Sequence, residues 1–295
     1  MKKLTLFSAP KPFSNSHIDL IQRNAILSWK KLGAGVEVLL IGEEEGLADV
    51  ANEYEVTHLP DVKRNSWGTP RVDSIFQMAR DHSESELLAY TNADIILFPK
   101  FVRVVRMISE VSEQFLVVGR RWDYGVEQKI IFEEGWDEEL LSKVKETGSL
   151  HGPTAMDYFV FPRGLFTDIP AFAIGRAGWD NWMIYHAQEN GWMVIDVSPT
   201  LPVVHQSHDY HHLPQGKPHH NLEESKRNVE LGGGFTKVYD LLDVDWIFVE
   251  GEIKKAPWDL PRLLRKMEHW IMPKMRKGWR WRLTHLIRRL RKSIT

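Results

Sequence analysis

An α/β fold, with a mostly parallel central sheet flanked by helices, is predicted from three observations. Short apolar runs rich in β-branched residues recur through the first two-thirds of the chain. Segments with apolar residues at helical spacing separate them. Gly, Pro and capping residues fall at the joints.

The elements follow in order. Leu4–Ser8 reads as a strand. Ile18–Leu32 is a helix, with apolar Ile18, Ile21, Ala25, Leu27, Trp29 and Leu32 at helical spacing, Ser16 as cap and Gly33 as stop. Val36–Ile41 has the largely apolar character of a strand covered on both sides. Leu47–Tyr54 is a short helix and Val56–Leu59 a short strand. Pro70–Arg80 is expected as a helix, with Thr69 as cap and Pro70 at its first position. Leu87–Thr91 is a strand that stops at Asn92-Ala93-Asp94. Phe115–Gly119, Tyr158–Phe161 and Trp192–Val197 read as further strands, and Trp136–Thr147, Asp180–Asn190 and Leu222–Leu231 as helices. Residues 205–220, with six histidines among Pro, Gly, Gln and Asp, read as a loop. A boundary near Pro257–Pro261 separates residues 1–256 from a tail, 257–295.

Composition is that of a soluble globular protein: 295 residues, 43% hydrophobic and 26% charged. There is no cysteine, which excludes disulfides, thiolate metal sites and a cysteine nucleophile. That suits a reducing, cytoplasmic setting. The apolar start at Leu4–Phe7 is cut off by Ser8-Ala9-Pro10, too soon for a secretory signal. The net charge of −2 hides an asymmetry. Residues 261–295 carry twelve Lys or Arg against one acid, Glu268, whereas residues 1–260 carry 26 bases and 39 acids.

Ligands of open α/β sheets collect beyond the carboxyl ends of strands, so polar residues that follow strands are the candidates. Asn92 and Asp94 are two apart, point to one side of an extended chain, and offer oxygens suited to Mg²⁺ or Mn²⁺. A turn capped by the same side chains is the alternative. Arg71, in the first turn of the expected helix, can reach a phosphate at that helix's N-terminus, or be solvated there. Asp180 is either an N-cap or a general base. Trp179 and Trp182 offer flat faces for a sugar ring or fill the core. His205, His208, His211 and His212 allow a metal reading, but a loop with one functional histidine fits the pattern better.

Several blocks in order resemble a group of uncharacterised bacterial glycosyltransferases, family-2-like, with the GT-A fold. They are Phe7-Ser8-Ala9-Pro10-Lys11-Pro12-Phe13, Gly68-Thr69-Pro70-Arg71-Val72-Asp73, Tyr90-Thr91-Asn92-Ala93-Asp94-Ile95, Val118-Gly119-Arg120-Arg121-Trp122-Asp123, Asp157-Tyr158-Phe159-Val160-Phe161-Pro162, Trp179-Asp180-Asn181-Trp182 and His205-Gln206-Ser207-His208. The similarity spans about residues 1–245. It implies a Rossmann-like sheet and transfer of a sugar from a nucleotide-diphosphate donor to a hydroxyl of a saccharide or lipid-linked acceptor. It also implies a divalent metal, Mn²⁺ or Mg²⁺. Asn92-Ala93-Asp94 falls where that fold carries an Asp-x-Asp motif, so Asp94 becomes the main metal ligand, with His205 completing the site. Ala9, Pro10, Lys11, Gly42 and Glu43 are placed under the nucleotide, Arg71 faces the nucleotide or diphosphate, and Asp157 stands on the acceptor side. Asp180 matches the base of inverting enzymes.

Two other functions stay open on sequence: a carbohydrate- or nucleotide-sugar-binding protein that keeps the fold without turnover, and a sugar nucleotidyltransferase. The latter usually carries a glycine-rich signature after its first strand, and Phe7–Phe13 has no glycine. The tail mixes Trp and Leu with basic residues in an amphipathic pattern, broken at Pro273 and Gly278 into two helical pieces. It suits an anionic membrane surface, peripheral on the inner face; docking on the acidic body, a nucleic-acid patch and an interface to a partner are the alternatives. Nucleic acid is not an expected partner.

Overall fold

The computed structural model describes residues 2–154, 156–207, 222–273 and 277–294. The chain runs β1 (Leu4–Ser8), α1 (Ser16–Lys30), β2 (Val36–Ile41), α2 (Leu47–Glu53), β3 (Thr57–Leu59), α3 (Val72–His82), β4 (Leu87–Thr91) and β5 (Ile95–Ile96). It continues with α4 (Lys100–Ser109), β6 (Phe115–Val118), β7 (Trp122–Tyr124), α5 (Trp136–Thr147), β8 (Ser149–Leu150) and β9 (Tyr158–Pro162). Then come α6 (Trp179–Glu189), β10 (Met193–Asp196), β11 (Val204–Gln206), α7 (Glu223–Leu231), β12 (Trp246–Val249), β13 (Glu252–Lys255), α8 (Leu260–Ile271) and α9 (Gly278–Lys292). Neither α4 nor the β12–β13 pair is among the elements expected from sequence.

The main sheet has the order β13-β12-β10-β6-β9-β4-β1-β2-β3. Its pairings are parallel except those of β9 and β13. Successive side chains of a strand point to opposite faces. Leu4, Leu6, Val38, Leu40 and Ala89 accordingly join one core with Ala25, Ile26 and Trp29 of α1. Phe7, Leu39, Ile41, Leu88 and Tyr90 join the other, with Ile75 and Phe76 of α3 and Met183 of α6. Phe76, fully buried, is central there: its ring lies 5.0 Å from Phe7, 5.6 Å from Tyr90 and 5.6 Å from Phe161. Truncating such a ring to alanine costs about 3–5 kcal/mol.

Three local expectations are corrected. The cap of α1 is Asn15, whose side chain accepts from the amides of His17 and Ile18, not Ser16. Helix α3 begins at Val72, not Pro70. Pro70 and Arg71 are extended because Arg71 N–H donates to Lys63 O, Val72 N–H to Phe172 O, and Ile174 N–H to Pro70 O. Those bonds pin the segment between two others and delay the helix. His205 and Gln206 lie in strand β11 rather than a loop; His208, His211 and His212 lie outside the described residues.

The tail folds as two helices, α8 and α9, on the body. Arg265 donates to Asp243 at 2.7 and 2.9 Å and to Val238 O at 2.6 Å. Arg291 donates to Glu268 at 2.5 Å. Asp240 lies within 3.7 Å of Arg265 and 3.8 Å of Arg291. All but Asp243 of these ionic residues are buried. No helix among the described residues is long and apolar enough to cross a membrane.

Candidate active site

A cleft of about 690 Å³ opens at the carboxyl edge of the parallel strands. That is the size and place expected of a ligand site in this architecture. Ala9, Pro10 and Lys11 follow β1, Asn92, Ala93 and Asp94 follow β4, and Arg121 follows β6; all line it. Asp157 joins them because β9 is antiparallel to β4. Thr91 pairs with Tyr158, and Asn92 N–H donates to Asp157 O at 2.8 Å, so the start of β9 meets the end of β4.

A second, four-stranded sheet, β5-β11-β7-β8, assembles the most polar corner. Its register sets His205 opposite both Ile95 and Asp123, and Asp123 opposite Ser149. His205 Nε2 thereby lies 3.8 Å from Asp94 Oδ2, while its Nδ1 is 2.9 Å from Asp123 Oδ1. A carboxylate accepts, so Nδ1 carries a proton and Nε2 is the nitrogen that faces Asp94, the one a metal would take. Two donors at that separation can share one divalent cation at bond lengths of about 2.1 Å. The oxygen and imidazole donors suit Mn²⁺ or Mg²⁺. Among the described residues no cluster of three or more His, Asp or Glu is placed to hold a metal ion.

Asn92 contributes differently. Its Oδ1 accepts from Tyr90 Oη at 2.8 Å and its Nδ2 donates to Asp157 at 2.8 Å. Both ends of the amide are thus engaged in protein bonds. Burial, then the nearby carboxylates, push the Tyr90 phenol up, so it stays a donor.

Arg121 is the residue that the sequence pattern does not single out. Its Nη1 bonds both oxygens of Asp157, at 2.8 and 2.9 Å, and its Nε bonds Asp123 at 2.9 Å. Burial alone would lower its pKa, but Asp157 and Asp123 hold it firmly charged. Asp123, despite the opposing effect of burial, is held well below the usual carboxylate range by His205, His151 and Arg121. The only sequence signal was the Arg120-Arg121-Trp122-Asp123 block, in which the two arginines look alike. Lys11 is held by a reciprocal pair: its N–H donates to Gln22 Oε1 at 2.6 Å, and Gln22 Nε2 donates to its carbonyl at 2.9 Å. Burial lowers the Lys11 pKa and the Asp94 charge opposes this.

Asp180 lines the same cleft, at the start of α6. It is not the N-cap. Gly178 holds that position with φ 108°, and the Asp180 carboxylate accepts its N–H at 3.2 Å. Asp180 is enclosed by protein but still reached by water through the cleft mouth. Desolvation raises its pKa to about 6, against the backbone amides of α6, which lower it; the Asp157 charge adds to the rise.

Four other expectations fare differently. Arg71 does not line the cleft; its guanidinium grips Asp73 at 2.5 and 3.0 Å, directed there by the extended backbone of residues 70–71. Gly42 and Glu43 do not line it either. Gly42 N–H donates to Leu59 O, which prolongs the β2–β3 ladder; Glu43 and Glu44 both bond Arg64, and Glu44 is the one that lines the cleft. Trp182 is core: it stacks on His186 at 4.4 Å and packs edge-on against Phe172. Trp179 lines the cleft but is 5% exposed, wedged against Tyr90 at 5.2 Å.

The fold is that of the GT-A glycosyltransferases, a mostly parallel sheet between helices with the polar corner beyond β4. No family model matches the chain, and no curated protein matches it. Among solved structures it is similar to the glucosyl-3-phosphoglycerate synthase of M. tuberculosis. The TM-score is 0.50 at 15% identity, over 88% of this chain and 89% of that one. A complex of that synthase with Mn²⁺, UDP and glucosyl-3-phosphoglycerate gives 0.49 at 15% identity, over 88% of each chain. The mannosyltransferase PcManGT from Pyrobaculum calidifontis, solved with GDP-Man and Mn²⁺, gives 0.46 at 13% identity, over 71% of this chain and 58% of that one. At these identities the likeness bears on fold alone.

Proposed function

We propose that the protein is a metal-assisted glycosyltransferase that moves a sugar from a nucleotide-diphosphate donor to a hydroxyl of a saccharide or lipid-linked acceptor. The observation that carries this reading is the meeting, in one cleft, of the Asp94–His205 pair, the cations Lys11 and Arg121, and the carboxylate of Asp180. In this reading Asp94 and His205 hold Mn²⁺ or Mg²⁺, and Asp123 fixes the imidazole that binds it. A divalent cation bound there would offset the negative charge that develops on the departing diphosphate. Lys11 adds positive charge on the same wall. Arg121 acts by holding Asp123 and Asp157 in place. Ala9 and Pro10 lie against the nucleotide, with Asn92 positioning the Asp94 turn through Tyr90 and Asp157.

Asp180 takes the proton of the acceptor hydroxyl. A carboxylate with a pKa near 6 is ionised at neutral pH yet more basic than an ordinary one, which is the property a general base needs. Attack assisted from the far side of the sugar gives inversion. Trp179 and Asp157 border the acceptor.

A panel of nucleotide sugars with Mn²⁺, with saccharide and lipid-linked acceptors, tests the proposal. Turnover by the native chain that is lost in Asp94→Ala and in Asp180→Asn supports it. Tight nucleotide-sugar binding with no turnover on any acceptor would instead assign a binding protein of the same fold.

A further inference from the structure

Helices α8 and α9 bury Leu264, Ile271 and Ile287 together with the charged Arg265, Glu268 and Arg291, and they leave a second set of apolar side chains exposed, where an ordinary surface helix is polar. On α8 the exposed residues Leu260, Leu263, Met267 and Trp270 follow the spacing i, i+3, i+7, i+10 and so form one stripe. Trp270 is 84% exposed, while Arg265 and Glu268 of the same helix are 4% and 0% exposed. On α9 the exposed residues Trp279, Leu283, Leu286 and Leu290 form a second stripe, and Arg291 is buried. Exposed Lys266, Lys277, Arg282 and Arg289 lie beside these stripes. The inner faces of the pair are held by the ion pairs to Asp240 and Asp243 and by buried Leu264, Ile271 and Ile287, so the two stripes are left on the outer faces.

We propose that the α8–α9 hairpin is a preformed docking platform for an anionic bilayer surface. An exposed apolar stripe calls for a partner. A second copy of this hairpin is disfavoured, because it would oppose two faces from a segment with twelve Lys or Arg and one acid. An anionic headgroup layer complements those cations, the leucines enter the acyl boundary, and the indoles of Trp270 and Trp279 sit at the headgroup level. The platform also touches the cleft wall indirectly. Arg265 bonds Val238 O, Asn181 beside Asp180 donates to Tyr239 O at 2.5 Å, and Leu241 N–H donates to Pro153 O at 3.0 Å next to the cleft residue Thr154.

Co-sedimentation of the full chain with vesicles tests this. Phosphatidylcholine vesicles containing phosphatidylglycerol should carry the protein down, and vesicles of phosphatidylcholine alone should not. Binding should fall as salt rises from about 0.1 to about 0.5 M. Replacing Trp270, Trp279 and Leu286 together by alanine should weaken it by at least about tenfold. The melting temperature of that variant should stay at the native value, since all three side chains are exposed. Absence of binding to the anionic vesicles, or equal binding by the variant, overturns the proposal. So does a concentration-dependent dimer of the native chain that the variant loses, which would give the face to a second copy. The assay contains no nucleotide sugar, so its failure leaves the transferase reading standing.

Discussion

Replacing Asp180 by asparagine separates the burial of this carboxylate from its chemistry. Its pKa is about 6 in the folded protein, against 3.8 for an ordinary aspartate. The folded state therefore binds the proton more tightly than the unfolded one. The associated stability is fully present below pH 4 and is lost as pH rises through 6. Two pKa units correspond to about 3 kcal/mol. Water reaches the cleft, so we take about 1–2 kcal/mol as the cost of ionised Asp180 at pH 8. Asparagine cannot ionise, and its carbonyl can still accept the Gly178 N–H. The variant should melt about 2–3 °C above the native chain at pH 8 and at the same temperature near pH 4. Thermal unfolding of both proteins across that range is the assay. A melting difference that does not change with pH would refute the desolvation argument. In the same variant, transfer should fall at least about 100-fold while donor affinity holds. Native kcat/KM should rise with pH through about 6.

Asp123→Ala should weaken divalent-cation affinity by about 10–100-fold, as followed by Mn²⁺ titration of the protein without donor, because His205 loses the partner that fixes its tautomer. Arg71→Ala should change KM for the donor by less than about twofold, whereas Arg121→Ala should lower transfer by at least about tenfold through release of Asp123 and Asp157. Glu268→Gln should cost about 3 kcal/mol, read as a lower urea midpoint, since Arg291 and Arg265 would keep buried charge with less compensation. Asp94→Ala should abolish the dependence of donor binding on Mn²⁺, measured by calorimetry with and without the metal.

The sheet was legible because its central strands must be apolar on both faces. Leu4–Ser8, Val36–Ile41 and Leu87–Thr91 carry that demand in their own residues. The small sheet was not legible. Its strands have two or three residues, and only pairing between positions 95, 123, 149 and 205 defines them. Distances of that kind along the chain leave no local pattern. Asp94 stands out from its place after a strand, its pairing with His205 follows from the resemblance, and the β5–β11 register supplies the physical reason they meet. Arg71 was misread because proline before a helix and proline in an extended bridge look the same in sequence. The bonds that decide between them run from the Arg71 and Val72 N–H groups to the carbonyls of Lys63 and Phe172, beyond any local pattern. Arg120 and Arg121 were equivalent on paper. In the fold Arg120 bonds the carbonyl of His151, and Arg121 takes the two aspartates.

The ion pairs beneath α8 bear on how far residues 1–256 can stand alone. A chain cut there would keep every side chain that lines the cleft. It would also leave Asp240 and Asp243 facing each other with neither Arg265 nor Arg291 between them, on the short segment that braces Asn181 and Pro153. The body and the tail are separable by composition but share an electrostatic keystone. An inactive truncated protein would report the loss of that keystone before it reported anything about where the enzyme works.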